Sequence, residues 1–592
     1  MHQGGRLRRT KIVATIGPAS ESPGMLTALC AAGMDVARLN LSHGGRSAFE
    51  RRLRTVLAVR DAAVDRPLGV LVDTRGPEVR IGSFPDGNVQ LEAGQPFCLY
   101  PTLRPGDAQG VGVNDPGLAR DVRPGQQVLL DDGNLTLRCV EVRDGALACE
   151  VEVGGLLLSG KKVNLPGIEL DMPALQPDDV EDIRLAARLG ADFVAASFVR
   201  SVEDVFAVRR LLEECGCGDG RIQVISKIET QQGVAHAEEI LRASDGLMVA
   251  RGDLGVEMPA EEVPLVQKEL IRKCLEAGKP VITATQMLES MVSHNRPTRA
   301  EASDVANAIF DGSDAVMLSA ETAVGRYPLD AVRTMARIAE RTEQALPFRE
   351  MLARRAAASG TTVTDAISYA TAVAAQNLAA AAILTVTETG LTARAVAKYR
   401  PRNPVLAMTS RPEVVRHLSV VWGVLPMASP RHATTDLTVE GAVGAALDRG
   451  VIQQGDLVVI TAGAPGAVHG STNMLKVLTV GDVVLRGTGM GARAVTAPAA
   501  LVRSEADLGA AQPGDILVLA DGGEMWLPLV ERAGAVITED VSQTSPVVLR
   551  SLALGVPLVV GVAGATGRVR HGEILTVDAR RGLCYRGKAQ VP

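Results

Sequence analysis

PVITATQMLESMVSHNRPTRAEASDVANAIFDGSDAVMLSAE, residues Pro280 to Glu321, is the stretch that decides the fold. Two short apolar runs, PVITA from Pro280 and DAVMLS from Asp314, flank a segment with helical spacing from Pro297 to Phe310. Runs of this kind, too short for a helix and apolar throughout, read as strands buried on both faces, and the helix between them makes a parallel βαβ unit. The alternation recurs with KIVAT (from Lys11), MDVARL (from Met34), LGVLVD (from Leu68), DFVAAS (from Asp192), QVISKI (from Gln223) and GLMVA (from Gly246), and Glu261 to Ala277 is another amphipathic segment. Eight such units predict a (β/α)₈ barrel.

One connection is abnormally long. Between the third and fourth runs lie about a hundred residues that alternate in polarity, as in VQLEAG and NLTLRCVEV, with Asp86-Gly87 and Asp144-Gly145 turns. This stretch predicts a small β domain inserted after the third strand. Past Leu346 a new set of runs (AAILTV, PVLAMT, VVWGVLP, DLVVIT) alternates with helices at Asp365 to Leu378 and Thr392 to Tyr399. A Gly-rich segment, RGTGMGARA, and β-rich runs (DILVLA, GAVITE, PLVVGV, ILTVDA) follow. The expected organisation is therefore a barrel over residues 1–75 and 173–345, an inserted β lid over 76–172, an α/β domain over 346–480, and an extra swivelling-type domain over 481–592. A chain of 592 residues has room for several cores.

Composition narrows the function. A net charge of −6 and only 3 % aromatic residues argue against nucleic acid or an anionic membrane surface as a partner. The basic start lacks an apolar signal core, and no apolar run is long enough to span a bilayer. Eight scattered cysteines read as free cytosolic thiols, with Cys215 and Cys217 the one close pair.

In such a barrel the active site lies at the C-terminal ends of the strands. Polar residues there are Arg38, Asn40 and Ser42, then Asp73 and Thr74, Lys227 and Glu229, Arg251 to Asp253, Thr285, and finally Ser319 and Glu321. Lys227 and Glu229 are two apart on a strand, so their side chains face the same way. They form either a plain ion pair or part of a charged-ligand site. Glu229 and Asp253 suit Mg²⁺ as oxygen ligands. Gly252 lets the chain pass close to a ligand, and a helix starting just beyond would offer N–H groups to a carboxylate. Asn40, Ser42, Asp73 and Thr74 suit a singly charged cation, although turn capping explains such residues equally well. Arg38 and Lys227 would direct positive charge at a phosphate.

These residues also carry a family resemblance. TKIVATIGPAS, MDVARLNLSHG, VDTRGPEVR, VNLPG, IQVISKIETQQGV, VARGDLGVE, TATQML and RPTRAEASDVANAIFDGSDAVMLSAETAVGRYP resemble the motifs of pyruvate kinase, in order, from about residue 10 to 480. The resemblance implies a cytoplasmic homotetramer that transfers a phosphoryl group from phosphoenolpyruvate to ADP, giving pyruvate and ATP, with Mg²⁺ (or Mn²⁺) and K⁺. It implies that Arg38 binds the phosphoryl group and that Asn40, Ser42, Asp73 and Thr74 ligate K⁺. Glu229 and Asp253 would ligate Mg²⁺. Gly252, Asp253 and Thr285 would hold the substrate carboxylate, and Lys227 would stabilise the transferring phosphoryl and the enolate. Arg80 and Lys161 would contact the nucleotide, with His43 nearby. Thr285, or a water relayed through Ser319, would protonate the enolate. SGKKVNLPG shifts the usual SKKGVNLPG arrangement by a residue. Glu78 resembles the K⁺-requiring branch, in which a lysine does not replace the ion.

Thr387, Thr389, Gly390 and Thr392 resemble the family's effector loop, with an unregulated packing loop as the alternative. Glu388 stands where fructose 1,6-bisphosphate-activated members carry lysine, which predicts a weak response to that bisphosphate and favours a monophosphate. The tail, AVITEDVSQTSPVVLRSLALGVPLVVG, resembles the phosphohistidine domain of phosphoenolpyruvate-utilising enzymes, but Thr544-Ser545-Pro546 replaces the Thr-Ser-His triplet. Proline has no nitrogen able to carry a phosphoryl group, and His571 lies outside the motif. The rival functions are a dikinase-like synthase, which lacks its histidine and its ATP-binding domain here, a Mg²⁺-dependent lyase, and a catalytically silent regulatory paralogue.

Overall fold

The computed structural model describes residues 8–42, 45–62, 66–169, 171–356, 362–431, 434–463, 472–481 and 483–589. The chain forms two compact units, one of Met1–Tyr369 with Thr387–Ala428, the other of Ala370–Val386 with Ser429–Pro592.

In the first unit all eight apolar runs are strands of one closed barrel. They are β1 (Lys11–Thr15), β2 (Val36–Asn40), β3 (Gly69–Asp73), β4 (Phe193–Ala196), β5 (Gln223–Ile228), β6 (Gly246–Ala250), β7 (Val281–Ala284) and β8 (Ala315–Leu318). Every neighbouring pair is parallel and the ring closes between β1 and β8. β1, β3 and β6 are buried at every position, which is why they read as continuous apolar runs rather than as an alternation. The helix between β7 and β8 runs Arg299–Asp311. Thr298 and Glu301 form a capping box at its start, so it begins two residues later than the expected Pro297. Gly312, at φ 110°, ends it, and Val305, Ala308 and Ile309 face the core.

An aspartate precedes each even strand and fixes its odd neighbour. Asp35 accepts the Ile12 N–H at 2.9 Å, Asp192 that of Val70 at 2.9 Å, Asp245 that of Val224 at 2.8 Å and Asp314 that of Val281 at 3.1 Å. Each carboxylate also meets an arginine: Arg8 and Arg66, Arg60 and Arg416, Arg209, and Arg400 respectively. These carboxylates, three of them buried and Asp245 partly exposed, tie the N-terminal ends of the strands, opposite the end that carries the site.

The insertion after β3 is β-rich, as expected. Its seven-stranded sheet runs, in spatial order, Val79–Arg80, Lys162–Asn164, Gln127–Leu130, Leu135–Arg143, Ala146–Val153, Pro96–Tyr100 and Gly110–Gly112. Asp144 and Gly145, at φ 51° and 75°, form the two-residue hairpin expected of that dipeptide. Asp86-Gly87 is a turn but not a hairpin, because the strand after it, Asn88–Leu91, pairs with the distant Gly155–Leu158. The insertion leaves and rejoins the barrel at adjacent points. Asp179, on the helix Pro177–Leu189 that leads to β4, accepts the N–H groups of Arg75 at 2.8 Å and Gly76 at 3.1 Å.

Beyond the barrel, the first unit contributes Val405–Thr409 paired with Val424–Ala428. The second strand starts later than VVWGVLP suggested, because Leu418–Val420 form a 3₁₀ turn and Gly423 turns at φ 68°. In the second unit Ala382–Val386 pairs in parallel with Leu457–Ala462, which pairs antiparallel with Met474–Thr479. A separate eight-stranded sheet follows, with Ala494–Val502, Ile516–Leu519, Ala535–Thr538 and Leu558–Val560 parallel at its centre. All eight cysteines are free. Among the described residues, no helix is long and apolar enough to cross a membrane.

Candidate active site

The C-terminal ends of the barrel strands gather most of the expected residues into one buried charge network. Arg38, in the middle of β2, donates from Nε to Asp73 Oδ2 at 2.6 Å and from Nη1 to Thr15 Oγ1 at 2.8 Å. Lys227, on β5, places Nζ 2.7 Å from Ser197 Oγ, 3.2 Å from Asp73 Oδ1 and 2.9 Å from Glu229 Oε1. Asp73 is fully buried. Burial alone would raise its pKa, but Arg38 and Lys227 outweigh burial and hold it below the ordinary range. Burial would likewise lower Lys227, and Asp73 and Glu229 reverse the sign, so the ammonium stays charged.

Glu229 is the exception. Burial dominates and raises its pKa, Lys227 opposes the shift, and the nearby Asp253 adds to it. Its Oε2 accepts the Phe198 N–H at 2.6 Å, whereas Oε1 is buried and lies 2.9 Å from the Lys227 ammonium. A buried carboxylate oxygen with spare lone pairs, next to a second carboxylate, fits a divalent cation. Among the described residues no cluster of three or more His, Cys, Asp or Glu side chains has a metal-binding arrangement. An ion held here would have Glu229 and Asp253 as its carboxylate ligands and would complete its shell with substrate oxygens and water.

Asp253 lies in the first turn of a short helix, Arg251–Glu257. The helix starts at Arg251, earlier than expected, so Gly252 is inside it. The Gly252 N–H donates to Thr285 Oγ1 at 2.8 Å, and a Cβ on Gly252 would stand 3.4 Å from that oxygen. Thr285 has φ 66°, a costly conformation for a β-branched residue. Arg251 braces the turn by donating to Thr285 O at 2.8 Å and to Asp304 at 2.7 Å. Ser319 Oγ is buried without a hydrogen bond, and its N–H donates to the fully buried Glu321 at 2.6 Å.

Asn40 and Asp73 are register partners on β2 and β3. Asn40 Oδ1 accepts the Ser42 N–H at 3.0 Å, the turn-capping arrangement considered above, and Thr74 Oγ1 accepts the Ser197 N–H at 3.0 Å. His43 lies outside the described residues.

On the inserted domain, Arg80 pairs with Glu78 at 2.6 Å and Lys161 with Asp131 at 2.6 Å. The lysine that reaches the barrel carboxylates is Lys162, 2.9 Å from Asp253 and 2.7 Å from Glu78. Burial would lower its pKa, and Asp253 and Glu78 raise it. Sequence reasoning set Lys161 ahead of Lys162, and it missed Ser197 and the Phe198 N–H. The one-residue shift in SGKKVNLPG was the available signal for Lys162. A cavity of about 420 Å³ opens beside this junction, lined among others by Glu78, Lys162, Phe198, His236 and Glu257. Glu257 is pushed up to about 7, mainly by burial and then by Asp253.

Three of the effector candidates form a loop ahead of the helix Leu391–Ala397, and Thr392 lies in the helix's first turn. Thr387 and Thr392 are buried, Gly390 has φ 79°, and Thr389 Oγ1 accepts the Leu391 N–H at 3.4 Å. Glu388 accepts from Ser410 Oγ at 3.3 Å. In the second unit Pro546 opens the helix Pro546–Leu554, with Ser545 as its N-cap.

Comparison with known proteins agrees with this geometry. Residues 7–332 match the family described as pyruvate kinase, barrel domain, residues 365–478 the pyruvate kinase alpha/beta domain, and residues 511–582 the PEP-utilising enzyme mobile domain. Curated relatives named pyruvate kinase include those of Geobacillus stearothermophilus, 47 % identical over 589 residues, and Bacillus licheniformis, 46 % identical over 590. Each alignment covers 99 % of this chain and all of the relative. The Sporosarcina psychrophila relative is 44 % identical over 588 residues, with the same coverage.

Proposed function

The chain belongs to the pyruvate kinase family, and on that premise we propose that it transfers the phosphoryl group of phosphoenolpyruvate to ADP, giving pyruvate and ATP. The observation that carries this reading is the Lys227 ammonium, held among Ser197, Asp73 and Glu229 with Arg38 on the far side of Asp73. Phosphoryl transfer is mostly positioning plus neutralisation of oxygen charge, and this is a rigid, buried source of both.

Arg38 and Lys227 meet the phosphoryl oxygens, and Lys227 also faces the charge that develops on the enolate oxygen. Gly252, Asp253 and Thr285 line the seat for the substrate carboxylate. Glu229 and Asp253 would hold Mg²⁺ or Mn²⁺, which would supply the remaining neutralisation of phosphoryl charge. Asn40, Ser42, Asp73 and Thr74 would hold K⁺. Arg80 and Lys161 contact the nucleotide from the lid side, and His43 is a further nucleotide contact. The enolate takes its proton from Thr285 or from a water held by Ser319, whose hydroxyl is buried and uncommitted.

The division into a barrel (1–75 and 173–345), a lid (76–172), an α/β domain (346–480) and an extra domain (481–592) belongs to the same proposal, as do a cytoplasmic homotetramer and an effector loop at Thr387, Thr389, Gly390 and Thr392. Pro546 keeps the last domain out of phosphoryl transfer. The test is pyruvate release from phosphoenolpyruvate in the presence of ADP, Mg²⁺ and K⁺. Absence of ADP-dependent pyruvate would sink the assignment.

A further inference from the structure

Lys162 has no part in the roles above, yet it makes the shortest tie between the inserted domain and the metal-ligand pair. Its Nζ lies 2.9 Å from Asp253 Oδ1 on the barrel and 2.7 Å from Glu78 Oε1 on its own domain. The side chain is 19 % exposed, and its ammonium stands 5.1 Å from the centre of the Phe198 ring. The contact is therefore half-shielded from water and fixed on three sides. Register explains the reach: Lys162 pairs with Arg80 across two antiparallel strands, which brings Glu78 and Lys162 to the same edge of the lid sheet.

A divalent ion on the Asp253 oxygen that accepts this ammonium would bring two cations into repulsive contact. Lys227 stands in the same relation to Glu229 but is held in place by Asp73 and Ser197, whereas Lys162 can withdraw. Glu78 makes its departure cheap, because it already holds Lys162 and keeps the charge partnered after Asp253 lets go. We propose that Lys162 is an intramolecular competitor for the divalent cation. It occupies Asp253 in the metal-free site and retreats onto Glu78 as the metal enters, so that loading the site also breaks a tie between lid and barrel. Glu78 is a positioning residue that sets how tightly Lys162 competes. The inference rests on the reading of Asp253 as a metal ligand.

The experiment measures Mn²⁺ binding to the full-length protein without substrates, by the paramagnetic resonance signal of free Mn²⁺, in wild type, Lys162→Met, Glu78→Gln and Asp253→Asn. Lys162→Met is expected to bind Mn²⁺ roughly tenfold or more tightly than wild type, because the competitor and its repulsion are both gone. Glu78→Gln is expected to shift affinity the opposite way, weakening binding several-fold, because Lys162 loses its alternative partner. Asp253→Asn should abolish the site. Affinities of Lys162→Met and Glu78→Gln within twofold of wild type, with Asp253→Asn still abolishing binding, would overturn the competition and leave the metal assignment intact. Binding insensitive to Asp253→Asn would overturn the metal assignment and the competition with it. Should Lys162→Met fail to fold, the weakening expected of Glu78→Gln decides the matter alone.

Discussion

Replacing Lys227 with methionine removes an ammonium while keeping most of the side chain's volume, so the effect on stability can be separated from the effect on chemistry. Asp73 keeps Arg38 at 2.6 Å and Ser197 Oγ at 3.1 Å, and stays a paired carboxylate. Glu229 loses its cation, and its firmest remaining contact is the Phe198 N–H at 2.6 Å. A buried carboxylate in that position escapes by taking up a proton. Starting from an ordinary value of 4.5, holding a proton at pH 7 costs about 3.4 kcal/mol at ~1.36 kcal/mol per pKa unit. Part of that cost is already present in the wild type, where Glu229 is shifted upward. The loss of folding stability is therefore at most about 3 kcal/mol, below the middle of the ~3–5 kcal/mol range for breaking a buried ion pair. Turnover has no such escape. Losing a preorganised charge donor at the reacting oxygens should lower kcat by roughly 10²–10³. Urea unfolding followed by circular dichroism gives the first quantity, and pyruvate release coupled to NADH oxidation gives the second. A folded Lys227→Met protein turning over within tenfold of wild type would refute the placement of Lys227 at the chemistry. A stability loss above about 5 kcal/mol would refute the proton-uptake argument.

Four further outcomes are expected. Exchanging K⁺ for tetramethylammonium should cut turnover by roughly an order of magnitude or more, since Glu78 offers no cation in its place and the oxygens of Asn40, Ser42, Asp73 and Thr74 would lose their monovalent ion; undiminished turnover would remove K⁺ from the mechanism. Mn²⁺ affinity should fall as pH drops through the raised pKa of Glu229, in a window above the ordinary glutamate range, because the metal needs the ionised carboxylate. The stability of the metal-free protein should move the other way over that window. The folded state binds this proton more tightly than the unfolded state, so ionising Glu229, and Glu257 with a value of about 7, costs stability as pH rises; pH-independent Mn²⁺ binding between pH 5 and 8 (about the range in which a raised carboxyl titrates) would contradict the burial argument. Titration with fructose 1,6-bisphosphate should produce little activation, because Glu388 puts a carboxylate on the effector loop, and strong activation at low concentration would reject that reading.

The barrel was legible because burial on both faces leaves a clear trace, a short run dominated by apolar residues, and all eight such runs became strands. The lid was legible through Asp144-Gly145, whose two positive φ angles only a few residue types adopt freely. Asp86-Gly87 carries the same letters without the same role, because its following strand finds its partner far along the chain. The four aspartates ahead of the even strands stand in plain sight before MDVARL-like runs, but their purpose depends on which neighbouring N–H they face, and register is not written in the residue types. The site shows the same limit. Arg38, Asp73, Lys227, Glu229 and Asp253 could be picked out as charged residues at strand ends, whereas the pairing of Lys162 with Asp253 joins residues 91 positions apart and follows from how the lid sheet folds. Strain at Thr285 has no sequence signal, since threonine is not a residue that announces a left-handed backbone.

The Asp179 contacts have a consequence for how the chain can be cut and rejoined. Arg75 and Gly76, where the insertion departs, and the helix Pro177–Leu189, where it returns, are held within hydrogen-bond distance by one carboxylate. What remains after the insertion is removed is an ordinary strand–helix–strand step from β3 through that helix to β4, and the β3–β4 pairing needs nothing from the lid. The lid is thus a cartridge whose two ends enter a finished barrel at one place. Excising it in favour of a short linker, or exchanging it for another lid with equally close ends, would leave a barrel that still closes and a charge network of Arg38, Asp73, Lys227 and Glu229 drawn wholly from barrel strands and their ends.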